Sequence, residues 1–495
     1  MRILYLDCDT LRPDHLGCYG YTRDTSPNID AVAREGVRFD NCYVSDAPCL
    51  PSRSSLFTGR FGIHTGVVNH GGEAADPYVA GYPTRLFRMG DNRLSWMGQM
   101  RRAGFHTVSV SPYAERHSAW WFYEGFSEMF NTGRTGNERA DEINPVALDW
   151  ITRNAKHDNW FLHVNYWDPH RVYRTPMEYG NPFEGQPVPA WYTEEIRRKH
   201  WESFGPRSAQ DATGLPPKAG SPREPLNIAS LDDWRRWIDG YDTGIRYMDD
   251  HIGRLFDALR KAGVFDDLVI IMSVDHGENQ GELNVYGDHH TADHVTSRVP
   301  LIIRWPGVAT PRVDAGLIYQ TDMSATVTEL AGGKCSPDWD GRSFAEAFRA
   351  GESLPREHLV VGQCCWSVQR SVRWDDFMCL RTYHDGLHDW PELMLFDVKT
   401  DPHETQDLAG TRPDLVGRAM RLLDDWQGDM MSRSETGVDP LHTVLREGGP
   451  FHTRTMLEPY CAVLRKTGRA HHADALASRP EGTRGPGGKA RHGKR

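Results

Sequence analysis

The sequence predicts an α/β protein with a large central, mostly parallel sheet flanked by helices and a smaller C-terminal α+β subdomain. Short apolar runs rich in β-branched residues recur along the first two thirds of the chain, as buried strands do. Amphipathic helical patterns lie between these runs, and this alternation is typical of a parallel sheet covered on both faces. From about Glu357 the pattern changes to closely spaced short strands.

The strands of the central sheet are predicted from five apolar runs. The fourth run is the clearest, because it is rich in β-branched residues. The first is so short that a helix is the alternative on length alone. In chain order, the runs are Ile3–Leu6, Thr107–Val110, Asn159–Asn165, Leu268–Met272 and Val299–Ile303.

Helices are predicted where apolar residues recur at spacings of three and four. The clearest apolar face consists of Ile245, Met248, Ile252, Leu255, Phe256 and Leu259. Further helices are predicted at Pro27–Arg34, Leu94–Ala103, Pro145–Ala155 and Met323–Leu330. Ligands of open α/β sheets bind beyond the carboxyl ends of the strands. The polar residues that follow the predicted strands are therefore candidate site residues: Asp7, Asp9, Asp275 and His276.

The chain is predicted to divide into three parts. Residues 1–355 form the α/β domain, in which residues 173–231 are a long proline-rich insertion with little periodicity; such loops are usually functional or disordered. Residues 356–478 form the α+β subdomain. Its strands are predicted at His358–Val361, Ser367–Val372, Phe377–Thr382 and Met394–Asp397, and its helix at Leu415–Trp426. Residues 479–495 form a basic tail that we expect to be disordered.

Composition and charge exclude several classes of protein. The 495 residues are 39% hydrophobic, which excludes a wholly disordered chain. The net charge is −11 although the tail is basic, so nonspecific nucleic-acid binding is not expected. The sequence has no apolar run near the ~20 residues of a membrane span. The N-terminus lacks the apolar stretch of a signal peptide, which predicts a cytoplasmic protein. Nine sparse cysteines do not form a disulfide framework.

The strongest local signal is Pro48-Cys-Leu-Pro-Ser-Arg53. Cys49 precedes a predicted helix, Ser52–Phe57, which Gly59 ends. A side chain at a helix N-terminus faces unpaired N–H groups, and this environment favours a thiolate or an oxyanion. Arg53 adds a planar fork for a tetrahedral anion. On the thiol alone, a buried structural cysteine is the commoner alternative.

Five segments, in order over about residues 1–430, resemble the type I sulfatases of the alkaline phosphatase superfamily. Cys-x-Pro-Ser-Arg and its continuation through Arg60 resemble their signature. The other four resemble their first metal-binding segment, their second, the strand that follows and a C-terminal motif: Asp9–Gly20, Ser273–Glu278, Arg298–Gly307 and Leu395–Glu404. The resemblance implies a sulfatase-like fold with residues 1–355 as the catalytic domain. It also implies a sulfuric ester hydrolase that cleaves a sulfate monoester.

The family's nucleophile is a modified cysteine. In sulfatases a separate formylglycine-generating enzyme oxidises the signature cysteine to formylglycine (3-oxoalanine), and Cys49 is the matching residue. The hydrated aldehyde offers two hydroxyls on one carbon. One attacks sulfur while the ester alcohol leaves, and the second then loses its proton and expels sulfate by reforming the aldehyde. A plain serine or cysteine would hold a sulfate that water removes slowly.

The resemblance also implies a divalent cation, usually Ca²⁺, with Mg²⁺ or Mn²⁺ as alternatives. Asp9, Asp275 and His276 match the ligand positions, and residue 49 belongs to the same set. Many sulfatases have a second aspartate where this chain has Thr10. Asp7 is a candidate substitute, because residues two apart in a strand point to one face. A solvated or helix-capping Asp7 is the alternative.

Two histidines match catalytic positions. Asn165-Tyr-Trp-Asp-Pro-His170 resembles the segment that supplies a catalytic histidine. With an unperturbed pKa of ~6.5, His170 suits proton donation to the leaving alcohol; a structural histidine in a turn is the alternative. His289 matches the histidine of the family's Gly-Lys-His element.

Two family lysines that contact sulfate are absent from this chain. Asp288 replaces the lysine before His289, and Ser111–His117 aligns loosely with the family's Gly-Lys-x-His element. The candidate substrate-binding residues near these positions are Arg116, His117 and His290. We expect arginines rather than His289 to supply the missing charge, because a histidine beside a metal cation is protonated only against repulsion.

Other functions remain as alternatives. A phosphonate or phosphate ester hydrolase of the same superfamily would share these motifs. A non-catalytic binder of sulfated glycans would be expected to lose Cys49 or Arg53, and this chain has both. The expected substrate is a sulfated small molecule or a sulfated carbohydrate, with no nucleic-acid or membrane partner. Because many sulfatases are exported, a leader omitted at the start of this sequence is the alternative to a cytoplasmic location.

Overall fold

The computed structural model of the chain describes residues 1–78, 95–134, 136–214 and 222–479. Most of its strands belong to one sheet of eight strands and one of five. In chain order the strands are β1 (Arg2–Cys8), β2 (Val37–Tyr43), β3 (Asp46–Ala47), β4 (His106–Val110), β5 (Glu128–Phe130), β6 (Trp160–Tyr166), β7 (Val269–Val274), β8 (Asn279–Gln280), β9 (Tyr286–Asp288), β10 (Arg298–Arg304), β11 (Arg312–Tyr319), β12 (His358–Gln363), β13 (Val368–Trp374), β14 (Phe377–His384) and β15 (Leu393–Asp397).

Helices occupy most of the connections between strands. They are α1 (Pro27–Glu35), α2 (Cys49–Thr58), α3 (Gly62–Thr65), α4 (Trp96–Arg102), α5 (Tyr113–His117), α6 (Ala140–Asn154), α7 (Glu194–Glu202), α8 (Leu231–Lys261), α9 (His294–Ser297), α10 (Gln320–Leu330), α11 (Ala345–Ala350), α12 (Pro413–Ser432), α13 (Pro440–Arg446), α14 (Leu457–Lys466) and α15 (Ala470–Ser478). Short 3₁₀ helices lie at Pro13–His15, Gly17–Tyr19, Glu73–Ala75, Trp120–Tyr123, Met177–Tyr179 and Glu282–Asn284.

The central sheet has the strand order β11-β2-β10-β7-β1-β6-β4-β5. Strand β10 runs antiparallel to β2 and β7, and the other neighbouring pairs are parallel. Helices α1 and α6 each pack against α8, while α2, α4 and α10 form a second packed group. The predicted fold class, a mostly parallel sheet flanked by helices, is confirmed.

Each of the five apolar runs is a strand of this sheet. The sequence did not predict β2, β5 and β11, which lie at or next to the sheet edges. Strand β11 has partly exposed positions, and β2 mixes polar with apolar residues. A strand with one solvated side lacks the continuous apolar run on which the prediction relied. The predicted helix at 94–103 corresponds to α4; its first residue lies outside the described residues.

The smaller sheet has the order β15-β14-β13-β12-β3. Strands β12 to β15 form the antiparallel meander predicted for the C-terminal part. Strand β3 joins it in parallel, with Asp46 opposite Gly362 and Ala47 opposite Gln363. The two residues just before Pro48-Cys49 therefore belong to the small sheet, whereas β2 of the central sheet ends shortly before them at Tyr43. The signature segment is thus connected to both sheets.

The proline-rich insertion at 173–231 is partly structured. It contains α7 and a 3₁₀ turn, and several of its aromatic residues are buried: Tyr173, Phe183, Tyr192 and Phe204. Its described part therefore packs onto the body of the protein, and residues 215–221 lie outside the described residues. The predicted basic tail lies outside them as well, except for its first residue, Arg479.

Two further expectations concern the whole chain. Each of the nine cysteines lies in a described segment and is a free thiol. Within the described segments, no helix has both the length and the apolar character needed to cross a lipid bilayer.

Candidate active site

Parallel strand register brings three segments of the site to the same level. Strand β1 lies between β6 and β7, with Cys8 opposite Tyr166 on one side and opposite Val274 on the other. The next residue of each strand's continuation is Asp9, Trp167 or Asp275. Because these strands are parallel and in register, the three residues meet at one carboxyl edge of the sheet, where ligands of this fold class bind.

Cys49 is the first residue of α2, and all ten residues of that helix are buried. Gly59 ends the helix, as the sequence predicted, and its φ of 69° is left-handed. The predicted start at Ser52 is too late, because Cys49 itself is already helical. The Cys49 side chain is 3% exposed. Its Sγ lies 3.1 Å from His276 Nε2 and 4.0 Å from Asp9 Oδ1. The helix thus directs residue 49 toward the end of the central sheet.

Four of the predicted ligands form one compact group. Ligand atoms of Asp9, Cys49, Asp275 and His276 all lie within 4.8 Å of one another, and all four residues are buried. His276 Nδ1 is 2.8 Å from the Gly277 carbonyl oxygen, which can only accept, so the ring proton lies on Nδ1. The Nε2 lone pair therefore faces Cys49 Sγ, where it could bind a metal ion.

The donor set fits a hard divalent cation. Two carboxylates supply the oxygen ligands that Ca²⁺ and Mg²⁺ prefer. The Oγ1 of Thr10, at the position of the family's second aspartate, is buried and has no hydrogen-bond partner among the described residues. Buried hydroxyls are normally paired. An unpaired one beside Asp9 and Asp275 is therefore consistent with a ligand at this position.

Asp7 lies beside this group but points to other partners. Its two carboxylate oxygens accept from Arg53 Nε and a second Arg53 nitrogen at 2.9 and 3.1 Å. His163 Nε2 lies 3.1 Å from Asp7 Oδ2, and Ser109 Oγ is 3.0 Å from His163 Nδ1. Asp7 is 1% exposed within β1, so the solvated and helix-capping alternatives are wrong. Its role as a metal ligand stays a prediction, and its observed partner is Arg53.

Arg53 joins the three carboxylates of the site. Its NH1 donates to Asp9 Oδ2 at 3.1 Å and to Asp275 Oδ2 at 2.5 Å, in addition to the two bonds to Asp7. The side chain is fully buried. The sequence predicted that this guanidinium faces a tetrahedral anion. In the structure it mainly orients the three carboxylates, which is a structural role.

Arg116 reaches the site from α5. Its NH2 donates to Asp9 Oδ2 at 3.0 Å, its Nε to His117 Nε2 at 3.0 Å, and its NH1 to the Gly136 carbonyl at 3.2 Å. The loosely aligned segment Ser111–His117 therefore does place a cation beside the four candidate metal ligands. Counting only aspartates and arginines, three carboxylates face two guanidiniums, so a bound divalent cation would change the net charge from −1 to +1.

Burial and neighbouring charges set the protonation of the group. Burial raises the pKa of the Cys49 thiol well above its usual range, and Asp9 and Asp275 raise it further. The helix N-terminus therefore does not yield the thiolate that the sequence position favoured. Burial also raises the pKa of Asp275, but Arg116 and Arg53 outweigh burial at Asp9 and hold its pKa below the ordinary range. An unmodified thiol would be a poor nucleophile here.

His170 lies at the half-buried rim of the site. Its Nδ1 contacts the carbonyl oxygen of Arg171, so Nε2 is the atom that can exchange a proton. Burial lowers the pKa of His170 to about 4, with Asp9 opposing this shift and Arg116 adding to it. The histidine is therefore neutral at neutral pH until another anion approaches.

His289 and His290 follow the residue that replaces the family lysine. The His289 ring lies 4.2 Å from the His276 ring and 5.8 Å from the His170 ring, and its Nδ1 is buried without a partner among the described residues. His290 lies farther out, stacked on Trp366 at 4.0 Å. The structure thus brings His289 to the site and places His290 behind it.

Four more residues lie in this region. Trp167 stacks on His170, His163 supports Asp7, and His70 lies with His117 and Cys49 in a second group of close ligand atoms. Arg207, from the insertion, donates to Asp288 at 3.1 Å. Sequence reasoning missed Trp167, His163 and Arg207. Only Trp167 carried a signal, its place in the segment that ends at His170, because the approach of His163 and Arg207 depends on the tertiary fold.

Comparison with known proteins agrees with this geometry. The family model described as Sulfatase matches residues 2–333. The chain is 22% identical over 520 residues to N-acetylglucosamine-6-O-sulfatase of Bacteroides thetaiotaomicron, covering 90% of this chain and 89% of the relative. It is 25% identical over 438 residues to choline-sulfatase of Rhizobium meliloti, covering 78% and 77%.

Solved structures share the fold. One, in complex with its substrate D-glucosamine-2-N,6-O-disulfate, superposes with a TM-score of 0.68 at 19% identity and covers 87% of this chain and 98% of its own. The phosphonate monoester hydrolase of Agrobacterium radiobacter superposes with a TM-score of 0.64 at 19% identity, covering 91% and 99%. With the family model spanning most of the chain and the motifs meeting at one site, this chain belongs to the sulfatase family and is a sulfuric ester hydrolase of the alkaline phosphatase superfamily.

Proposed function

We propose that the chain cleaves a sulfate monoester of a carbohydrate or another small organic molecule, with residue 49 as formylglycine and a Ca²⁺ ion bound by Asp9, Asp275 and His276. Mg²⁺ or Mn²⁺ is the alternative ion. The observation that carries the proposal is the position of Cys49: it begins a buried helix and lies 3.1 Å from His276 and 4.0 Å from Asp9, among hard ligands.

Formylglycine and a divalent cation would supply the bond-making chemistry. Residue 49 as hydrated formylglycine would offer one hydroxyl for attack on sulfur and a second whose deprotonation permits release of sulfate. A cation held by Asp9, Asp275 and His276 would stabilise the negative charge on the sulfate oxygens. The raised pKa of the Cys49 thiol supports the need for modification, because the unmodified thiol is protonated. A formylglycine-generating enzyme would be the partner during maturation.

We assign proton donation to His170. Its Nδ1 is held by the Arg171 carbonyl, so the Nε2 proton would pass to the leaving alcohol. The lowered pKa describes the site without substrate. A sulfate ester brings a negative charge next to the ring, and an opposite charge at close range favours the protonated imidazole.

His289 is suited to the opposite proton transfer. Its ring lies against that of His276, and its buried Nδ1 has no partner among the described residues. Burial lowers its pKa well below the usual range, so it is neutral and has a lone pair available. We assign to it the uptake of the proton from the second hydroxyl at residue 49.

The charge balance fits a monoanionic ester. A divalent cation together with the aspartates and arginines of the site would sum to +1, which attracts a monoanionic sulfate ester. Arg116 supplies part of this charge in place of the family lysines, from its position on Asp9.

A sulfated carbohydrate is the substrate class we favour. One relative is named for N-acetylglucosamine 6-O-sulfate, and one structural neighbour holds a sulfated glucosamine. Half-buried polar side chains lie at the rim, where sugar hydroxyls would need hydrogen-bond partners: His70, His117, His170 and His452. Trp366 cannot offer a free face, because His290 and His452 stack on it at 4.0 and 4.5 Å.

A mass spectrum of the tryptic peptide Phe39–Arg53 tests the nucleophile. We expect conversion of Cys49 to formylglycine in the active protein, whereas Cys42 of the same peptide stays a thiol and serves as an internal control. Activity should scale with the converted fraction and vanish in Cys49→Ala. Full hydrolysis of an aryl sulfate by protein with only unmodified Cys49 would refute the proposal.

The phosphonate hydrolase alternative is tested on the same protein. Two structural neighbours are phosphonate monoester hydrolases. Because an aryl sulfate and an aryl phosphonate monoester carry the same charge, the ratio of their kcat/KM values reports the preference for the central atom. We expect the sulfate to be the better substrate, and a ratio in favour of the phosphonate would reverse the assignment.

A further inference from the structure

Trp167 contacts two groups of the site at the same time. It follows β6 and lies half-buried at the rim. Its ring centroid is 3.8 Å from that of His170, with 18° between the planes. The central carbon of the Arg116 guanidinium lies 3.9 Å from the same Trp167 centroid. Both contacts are at van der Waals distance, where stacking and cation–π attraction act.

The two contacts must be on opposite faces of the indole. An imidazole and a guanidinium are each nearly as wide as the ring they cover. Two such planar groups, each under 4 Å from one centroid, would overlap if they shared a face. Trp167 is therefore a layer between His170 and Arg116, and it separates them by about twice a stacking distance.

Each neighbour has its other contacts on the far side of this layer. Arg116 is held by Asp9, His117 and the Gly136 carbonyl, while His170 is held by the Arg171 carbonyl. Without the indole, the space between the Arg116 guanidinium and the His170 ring would be open, and only the three hydrogen bonds of Arg116 and the contact of His170 Nδ1 would oppose a shift of either group into it. Such a shift would weaken the bond from Arg116 to Asp9 and turn the His170 Nε2 away from the ester.

We propose that Trp167 is a positioning residue: its indole holds Arg116 on Asp9 and the His170 imidazole toward the leaving group, and keeps these two groups apart. The proposal rests on the proposed role of His170 as proton donor and of Arg116 as an anion-binding cation. It predicts one residue that affects both a step in catalysis and the binding of the substrate anion.

The test compares Trp167→Ala with Trp167→Phe on two substrates, an alkyl sulfate and an activated aryl sulfate. Displacement of a catalytic group by about 1 Å can cost ~100-fold in rate. We therefore expect Trp167→Ala to lower kcat on the alkyl sulfate by ~10- to 100-fold, to lower it less on the aryl sulfate, and to raise KM on both. Trp167→Phe keeps a ring between the two groups and should restore most of each loss.

Trp191→Ala is the matched control. Trp191 is also half-buried and stacked on a histidine, His403, at 4.4 Å, but it lies outside the candidate site. A general loss of packing would affect both alanine variants. We expect the control to change thermal stability without a difference between the alkyl and aryl substrates.

Double variants separate this proposal from the proposed function. In a His170→Ala background, Trp167→Ala should cause no further loss of kcat on the alkyl sulfate, and in an Arg116→Ala background it should cause no further rise of KM. Additive losses in both backgrounds, or equal losses on the two substrates, would overturn the positioning role. If the loss of kcat in His170→Ala does not depend on the leaving group, the assignment of His170 as proton donor is wrong. The role of Trp167 is then tested only by the KM values in the Arg116→Ala background.

Discussion

Replacing Asp7 by asparagine should lower stability, and it should weaken metal binding without abolishing it. Asp7 and Arg53 are each 1% exposed at the side chain and form two hydrogen bonds. Breaking a buried ion pair by removing one partner costs about 3–5 kcal/mol. Because Arg53 keeps its bonds to Asp9 and Asp275, we expect the free energy of unfolding of Asp7→Asn to fall by the lower end of this range, about 3 kcal/mol.

Two measurements on Asp7→Asn check this reasoning. Urea denaturation in the presence of a chelator gives the change in the free energy of unfolding without the metal. Titration calorimetry gives the Ca²⁺ affinity. Replacing a side chain that supports a metal ligand without touching the metal typically lowers metal affinity by ~10- to 100-fold. For Asp7→Asn we expect a loss of Ca²⁺ affinity at the lower end of this range, because Asp7 reaches the ligands only through Arg53. Asp9→Asn, which removes a proposed ligand, should abolish measurable binding.

Asp439→Asn is the matched control for stability. Asp439 pairs with Arg370 through bonds of 2.6 and 2.7 Å, is similarly buried, and lies in the C-terminal part. It should lose a comparable free energy of unfolding with unchanged Ca²⁺ affinity. If Asp7→Asn leaves stability intact but abolishes Ca²⁺ binding, Asp7 is a ligand after all and the assignment from its hydrogen bonds is wrong.

Three further predictions concern catalysis and pH. His170→Ala should lower kcat on an alkyl sulfate by ~10²–10⁴-fold and on an aryl sulfate by less, since an activated leaving group needs little protonation; equal losses would assign His170 to binding. Arg116→Ala should raise KM by ~10- to 100-fold without a new pH dependence between about pH 6 and about pH 9, because a guanidinium is charged throughout; an unchanged KM would place Arg116 outside the substrate site. Burial raises the pKa of Asp439 but Arg370 outweighs it and holds the pKa below its usual range, so this pair's stability contribution is present above the unfolded pKa of ~3.9 and is lost as pH falls through the folded pKa. Urea midpoints of the parent chain and Asp439→Asn should therefore differ by a constant amount above about pH 5 and converge below about pH 4, and a constant difference at all pH values would contradict this.

Much of the fold could be predicted from local patterns. The buried strands of the central sheet have continuous apolar runs, and each run is a strand. The strands that were missed, such as β11, have exposed positions at a sheet edge and therefore lack that pattern. The C-terminal meander could be located by its short, closely spaced runs. That β3 joins this meander could not be predicted, because a two-residue pairing with distant β12 has no local signal.

The sequence by itself determined which residues follow each strand and that Cys49 lies near the start of a helix, although the helix was predicted at Ser52–Phe57 and begins at Cys49 itself. Those are local facts, set by apolar periodicity and by where a run ends, and together with the resemblance to the sulfatases they name Asp9, Cys49, Asp275 and His276. Tertiary structure decided which partner each charged group takes. Asp7 pairs with Arg53 instead of joining the ligand group, Arg207 approaches Asp288, and Trp167 lies between Arg116 and His170. Such choices depend on which strands are neighbours and on where long connections return. They are settled by burial, since a charge removed from water must find a partner among the groups that the fold brings near it.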